Sequence, residues 1–485
     1  MSTVQSNNDY TLLTLKMRDL ARPSVLVEGS ESIRQTATRM TEEDSFTALI
    51  VNDGKLCGIV TDQNFRVRVI AQGRGLDAPI ASIMTPTPLT LPPTAAVSEA
   101  LLLMANHNIR HIPVFEPFTQ AIYGVVAAPD LLRIQGHNAV YLIGDIHQAQ
   151  DVASLQRLSL HLPQALIAMV RSNLTAYHIA HALSSIGQAI NRRLLQLAEQ
   201  QLGAPPVPYA FIVAGSLARH EQIAHSDQDN ALILADEYVE AEHGAYFAAL
   251  AKFVSDGLNA CGYVYCQGEV MATNPAWRQT LSAWKAYFRT WLDIPQPKAL
   301  LYCSIFFDLR CLYGDESLLQ QLQAQVLQKA PHSPLFLGHM AGNALTHTPP
   351  LRFFRGFALE KTDAGCKVMN MKKRGIIPII DLARVYALAA GIPELNTFER
   401  LQAIGERTKQ IPADSLADLK DAFEFICTTR LRHQAGQLEA GKPADHCLVP
   451  EEVSALEQRH LRDAFAVVAQ AQQVLSQQYQ TEHFR

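Results

Sequence analysis

Apolar positions follow three rhythms along the chain. From about residue 13 to residue 138, short apolar runs alternate with polar turns. Ala48-Leu-Ile-Val51 leads through Asn52-Asp53-Gly54 into Leu56-Cys-Gly58-Ile-Val60, which predicts a β-hairpin closed by an Asp-Gly turn. Thr61-Asp-Gln-Asn64 then opens a helix. A second copy starts at Ile83-Met-Thr85-Pro86 and repeats the order: a helix through Val97 to Asn106, the run Arg110-His-Ile-Pro-Val114, a loop, and Ile122-Tyr-Gly124-Val-Val126 before Asp130. Such internal repetition predicts two copies of one small α/β unit. In the second rhythm, over residues 139–202, Leu155, Leu158, Leu162 and Leu166, then Ile179, Leu183, Ile186 and Ile190, recur at helical spacing, which predicts connecting helices. Residues 203–335 return to an α/β pattern, with buried strands expected at Tyr209-Ala-Phe-Ile-Val-Ala214 and Ala231-Leu-Ile-Leu234. From residue 340 to residue 485 the pattern is helical, clearest at Pro378-Ile-Ile-Asp-Leu-Ala-Arg384 and in the segment ending at Tyr479. The expected fold is therefore α/β plus all-α, behind a tail of residues 1–12.

Composition narrows the class. A chain of 485 residues exceeds one ordinary core and predicts about three domains. With 48% hydrophobic and 18% charged residues it reads as a globular protein, and a formal charge of −5 offers no basic surface for nucleic acid. The N-terminus is polar, and no apolar run approaches the length of a membrane span. A cytoplasmic location and no membrane partner are expected. The eight cysteines show no Cys-x-x-Cys and no His pair at zinc spacing, so they read as reduced core residues. His220 and His225 flank the acidic motif described next but read as bystanders, because the cation expected there prefers oxygen ligands.

The chemistry concentrates between residues 215 and 230. A strand delivers Gly215 and Ser216 to a turn, where small residues let backbone N–H groups approach an anion and a following helix start adds positive partial charge. Arg219 supplies a cation beside it. Asp227 and Asp229 are two apart, so on an extended segment both project from one face. Paired carboxylates repel unless a cation intervenes, and Mg²⁺, with Mn²⁺ as an alternative, takes such ligands together with substrate phosphates. A solvated loop with N-cap aspartates accounts for the Asp pair alone. It leaves unexplained the order strand, Gly-Ser, Arg, Asp-x-Asp, strand.

That order resembles the nucleotidyltransferase superfamily pattern and implies a polymerase β-like α/β domain. In that superfamily the Asp pair binds Mg²⁺, and a third carboxylate on a neighbouring strand completes the site and activates the acceptor hydroxyl. The resemblance points to Asp308, the lone acid of Ser304-Ile-Phe-Phe-Asp308-Leu-Arg310, for which a salt bridge to Arg310 is the structural alternative. Gly215-Ser216-Leu-Ala218-Arg219-His-Glu221-Gln222 and Ser226-Asp227-Gln-Asp229-Asn230 most resemble a bacterial group related to protein-PII uridylyltransferase. Gly268-Glu-Val-Met271, Asn274-Pro-Ala-Trp277-Arg278 and Phe307-Asp308-Leu-Arg310 extend the match. Asn274 and Arg278 could line the nucleotide pocket, and a capped turn explains them as well. The group's Gly before the Arg is Ala218 here, and a position needing positive φ would penalise Ala by about 1 kcal/mol.

The repeat over residues 13–138 resembles a tandem pair of CBS domains, a module that often binds adenine nucleotides and dimerises. By that resemblance Thr61, Asn64 and Asp130 are candidate ligand residues, with Ala127 replacing the hydroxyl in the second copy. N-capping by Thr61 and Asp130, in a block that only dimerises, is the alternative. Residues 139–202 would relay occupancy of the pair or merely space it from the transferase. The helical region from residue 340 resembles the relatives' substrate-side domain, with Lys372 and Arg384 as triphosphate or acceptor contacts or as helix-surface charges. The expectation is a Mg²⁺-dependent nucleotidyltransferase moving a nucleoside monophosphate from a nucleoside triphosphate to a hydroxyl borne by a protein acceptor, in a homodimer regulated by adenine nucleotides at the CBS pair. A nucleotide-sensing signal-transduction regulator without turnover is the alternative, motivated by Ala218.

Overall fold

Asp53 and Gly54 take φ of 50° and 75°, the combination a two-residue hairpin loop requires. The computed structural model describes residues 16–96, 99–100, 103–104, 107, 109–128, 139–223, 226–352, 356–362 and 365–483. It divides into two units, Met1–Asn138 and Ala139–Arg485.

In the first unit the hairpin joins β2 (Thr47–Asn52) to β3 (Lys55–Thr61). Strand β1 (Val25–Glu28) runs parallel to β2, and β4 (Thr85–Pro86) runs antiparallel to β3. Helix α1 (Ile33–Glu42) links β1 to β2 and starts at Ser32, whose Oγ accepts from the Gln35 N–H at 3.2 Å. The second copy is the antiparallel pair β5 (His111–Glu116) and β6 (Ala121–Ala127). Each hairpin carries a register shift at the matching place, between Ile50 and Val51 and between Val114 and Phe115. The repeat therefore extends to an irregularity, and a bulge is a built feature of a sheet.

The copies exchange their flanking segments. Arg22, ahead of the first copy, bridges to Val125 of β6, as β4 pairs with β3. This approach needs Gly124: its φ is 130°, and a Cβ there would lie 2.0 Å from the Arg22 carbonyl oxygen. Met17 accordingly packs with Ile112, Val114 and Val126, while Val25, Ile33, Ile50 and Val60 form the other core. Leu49, Ile59 and Val125 join the copies. The helix expected over 97–106 falls only partly on described residues, and Asp130 lies outside them.

The second unit begins with α2 (Ala139–Gln148), α3 (Val152–Ser159), α4 (Leu162–Arg171) and α5 (Ala176–Leu202). The stripe of Ile179, Leu183, Ile186 and Ile190 on α5 is buried, as its spacing predicts. It does not face a linker, however. Helix α5 packs on α7 (Glu240–Ala260), and its Glu199 accepts from the Tyr209 and Tyr313 hydroxyls at 2.8 and 2.7 Å. Part of the segment expected to connect thus belongs to the α/β core. There β7 (Tyr209–Ala214), β8 (Asn230–Leu234), β9 (Arg278–Thr280) and β10 (Leu309–Gly314) form a sheet in the order β10-β7-β8-β9, with only β8 and β9 parallel. Every residue of β7 and β8 is buried, which is why both read as unbroken apolar runs.

Helices α8 (Leu281–Asp293), α9 (Pro297–Phe306), α10 (Glu316–Lys329) and α11 (Pro334–Ala344) lead into the C-terminal half. That half contains α12 (Ile377–Ala389), α13 (Thr397–Arg407), α14 (Ala413–Glu439) and α15 (Ala455–Tyr479), with α14 against α15 and α12 against α13. Besides the expected bundle it holds a small sheet of β11 (Glu360–Lys361), β12 (Lys367–Asn370) and β13 (Cys447–Leu448), too short to show a period in sequence. One continuous core runs from Leu142 to Leu475. Among the described residues no helix is long and apolar enough to cross a membrane.

Candidate functional site

Strand β7 ends at Gly215, whose φ of 61° only glycine adopts without strain. A Cβ there would also stand 2.9 Å from Asp229 Oδ2, so the turn's shape and the acid's position depend on one missing side chain. The chain then makes a single helical turn, α6 (Gly215–Ala218), shorter than the helix expected and with correspondingly little dipole to offer an anion. The left-handed positions are Gly215 and His220, not Ala218, which is buried within the turn. The backbone penalty expected at Ala218 therefore does not arise.

Asp227 and Asp229 stand at the entrance to β8, held there by two backbone bonds: the Ala214 N–H donates to the Asp229 carbonyl at 2.9 Å, and the Gln228 N–H to the Val264 carbonyl at 3.0 Å. The second bond brings in Cys266, so that ligand atoms of Asp227, Asp229 and Cys266 lie within 4.8 Å of one another. Burial, and next the charge of Asp227, push the Asp229 carboxyl up to about 7. Burial also raises the Cys266 thiol. Two hard-oxygen donors beside a thiol kept protonated suit a hard divalent cation held through the carboxylates.

Asp308, expected as the third metal ligand, does not join this group. It lies just before β10, is completely buried, and has three guanidinium partners. Arg219 Nη1 and Arg384 Nη2 reach its Oδ2 at 2.8 and 2.6 Å, and Arg400 Nη2 reaches Oδ1 at 2.6 Å. Burial pushes the Asp308 carboxyl up, but Arg384, Arg400 and Arg219 outweigh it and hold the group well below the usual carboxylate range. Arg310 is not among these partners; its Nε donates to the Ala218 carbonyl at 2.8 Å. The lone acid of an apolar run is thus explained by pairing across the fold, with arginines from α12 and α13 that its own segment cannot indicate.

The same network commits two cations expected at a phosphate. Arg219 also pairs with Glu221 at 2.7 Å, and Arg384 with Asp381. Glu221 in turn accepts from the Thr397 N–H at 2.7 Å, and Asn396, which caps α13, donates to the Arg219 carbonyl at 2.9 Å. The Gly-Ser turn is thereby stitched to the helical half.

A cavity of about 360 Å³ lies between these elements. Gly215, Ser216, Asp227 and Asp229 form one wall, and Lys372 and Arg430 also line it. Tyr177, Phe398 and Phe423 add an aromatic side, with Tyr177 and Phe398 edge to face at 5.6 Å and Phe398 and Phe423 tilted at 4.7 Å. Cys266, Arg430 and the aromatic side were not visible from motif spacing, since their elements lie far apart in sequence. Asn274 caps a turn by accepting from the Ala276 N–H at 3.0 Å, and Arg278 donates to the Ala272 carbonyl at 2.9 Å; neither lines this cavity. His220 is half-buried, its imidazole pushed down to about 4 by burial and then by Arg310 and His181, while His225 lies outside the described residues. In the first unit, Asn64 Oδ1 accepts from the Thr61 N–H at 2.8 Å and its hydroxyl at 3.1 Å, so these two candidates cap one another.

Several regions of the chain match known protein families. Residues 161–298 match the family described as "Putative nucleotidyltransferase DUF294", and residues 334–479 its "Putative nucleotidyltransferase substrate binding domain". Residues 17–70 and 80–137 match the CBS domain. The CBS domain-containing protein YhcV of Bacillus subtilis is 30% identical over 112 residues, 23% of this chain and 79% of that protein. Among solved structures, an uncharacterized conserved protein from Pyrococcus horikoshii is 31% identical, covering 25% of this chain and 92% of its own, with a TM-score of 0.23. A CBS domain protein from Pyrobaculum aerophilum complexed with AMP is 28% identical, covering 24% and 89%, with a TM-score of 0.22. The chain belongs to the CBS-domain proteins, its tandem pair followed by the two regions that match the DUF294 family descriptions.

Proposed function

We propose that the second unit is a Mg²⁺-dependent nucleotidyltransferase that moves a nucleoside monophosphate from a nucleoside triphosphate to an acceptor hydroxyl, releasing pyrophosphate. The observation that carries this reading is the convergence of Asp227 and Asp229 on one cavity with the Gly215-Ser216 turn. Asp227 and Asp229 hold the cation. A divalent ion bound there would supply charge neutralisation for the attacking and leaving oxygens of an in-line displacement. Gly215 admits the phosphates close to the backbone, and Tyr177, Phe398 and Phe423 offer the base an apolar surface. The resemblance to protein-PII uridylyltransferase favours an acceptor hydroxyl on a protein. An adenine nucleotide at the CBS pair, near Thr61 and Asn64, would regulate the enzyme as a homodimer.

Labelled nucleoside triphosphates offered with Mg²⁺ and cell extract test the reading. The expected result is a labelled product that disappears in Asp227→Asn and Asp229→Asn; a product indifferent to both substitutions would sink it. One observation favours a second reading, a sensor that binds nucleotide without turnover: Asp308 is saturated by arginines rather than free to serve the metal. Nucleotide binding by calorimetry, with no pyrophosphate released for any acceptor fraction, would support the sensor. Measurable turnover would remove it.

A further inference from the structure

The arginines of the buried network beside the cavity are paired. Arg219, Arg384 and Arg400 are taken up by Asp308, Glu221 and Asp381. Arg430, on α14, is different. It is 7% exposed, lines the cavity, and among the described residues forms no ion pair; its Nε is shut off from solvent without an acceptor. Glu221, an acid whose charge reaches it, is already engaged by Arg219 and the Thr397 N–H. Burying an unmatched guanidinium is costly, and here burial depresses its pKa. Lys372, exposed on the turn Met371–Ile376, lines the same cavity and likewise has no ion pair among the described residues. The two act on a common neighbourhood: His446 is pushed down to about 3 by burial and then by the charges of Arg430 and Lys372.

We infer that Arg430 and Lys372 form an anion subsite for the terminal phosphoryl oxyanions of the triphosphate, the part that leaves as pyrophosphate. The inference rests on reading this cavity as a triphosphate site. Its logic is charge matching. The acids at Asp227 and Asp229 account for a cation, and the remaining negative charge of a triphosphate needs fixed positive charge within the same cavity. A guanidinium sealed on one side and open to the cavity on the other is already desolvated, so it forms charge-assisted bonds to phosphate oxygens with little further cost. Because Arg430 and Lys372 come from the helical half while the acids come from the α/β half, the subsite would make triphosphate binding depend on both.

The test uses base-free inorganic pyrophosphate with Mg²⁺ on the full chain, followed by calorimetry. Wild type is expected to bind it, and Arg430→Met to weaken binding roughly ten- to hundredfold, the worth of a charge-assisted contact. Arg430→Lys should recover part of the loss. Lys372→Ala, at an exposed position, should weaken binding by a smaller factor and keeps the test open if Arg430→Met fails to fold. Absence of pyrophosphate binding to wild type, or affinities unchanged in Arg430→Met and Lys372→Ala, would overturn the subsite. The subsite and the transferase reading fail separately. Arg430-dependent pyrophosphate binding without turnover keeps the subsite and removes catalysis, whereas turnover with pyrophosphate affinity blind to both substitutions does the reverse.

Discussion

Two acidic places in the second unit carry the same residue type under opposite electrostatics. At Asp227 and Asp229 the ligand atoms lie within 4.8 Å of one another, no ion pair reaches either acid among the described residues, and the Asp229 carboxyl rises to about 7. At Asp308 one acid faces three arginines, and its carboxyl stays well below the ordinary range despite complete burial. The first place has no cation paired to it among the described residues, and the second is saturated with them. The two places differ both in burial, Asp308 being completely buried and Asp227 exposed, and in the charge around the acid, which sets the direction in which each carboxyl moves.

Asp308→Asn tests the contrast most severely. Removing the acid strands buried guanidinium charge and should cost about 3–5 kcal/mol, read as a lower midpoint in urea unfolding. Since the folded carboxyl titrates below its unfolded counterpart, the stability it contributes is complete above about pH 4 and is lost as the pH falls. Unchanged stability in Asp308→Asn would mean the arginines do not need it and would reopen a role at the metal.

At the other acidic place the sign reverses. In the metal-free protein, Asp227→Asn with Asp229→Asn should leave stability equal or raised, because repulsion is relieved. The double variant should lose the stabilisation that Mg²⁺ or Mn²⁺ gives wild type, about 2.7 kcal/mol at a hundredfold excess over Kd. A metal-induced rise in Tm that survives in the double variant would show that the cation binds elsewhere.

Gly215→Ala acts on the geometry instead of the charge. A positive φ and a Cβ 2.9 Å from Asp229 Oδ2 together should cost about 1–2 kcal/mol and weaken metal binding as the carboxylate shifts. Full metal affinity in this variant would show that the turn does not position the acid.

The smallest effect concerns the unpaired cations. His446, depressed to about 3, binds fewer protons folded than unfolded between about pH 3 and 6.5. Stability should therefore rise with pH across that window, and His446→Gln should flatten the rise. An identical slope in denaturation midpoints would mean that neither burial nor the charges of Arg430 and Lys372 depress His446.

What the chain discloses in sequence follows from the range of the forces involved. The hairpin at Asp53-Gly54, the repeated order of the first unit, the buried strands β7 and β8 and the stripe on α5 were legible because turn geometry and burial periodicity are local. The Gly215 turn and the Asp227 and Asp229 pair belong with them, since two residues' spacing on an extended segment already places two carboxylates together. The exchange of flanking segments between the copies was not legible, because it rests on Arg22 meeting Gly124 a hundred residues away in the chain.

The roles of the remaining charges were decided by tertiary structure alone. Arg219 and Asp308 resemble a phosphate contact and a metal ligand in sequence, yet Arg384 and Arg400, brought by α12 and α13, turn them into an ion-paired core. Arg430 looks like one more helix charge, yet packing leaves it buried, lining the acids' cavity and without an ion pair among the described residues. By itself the sequence determined which residues can carry charge and which segments hide from water. Only the fold decided which charges are neutralised, because pairing depends on distances between residues that the chain holds far apart.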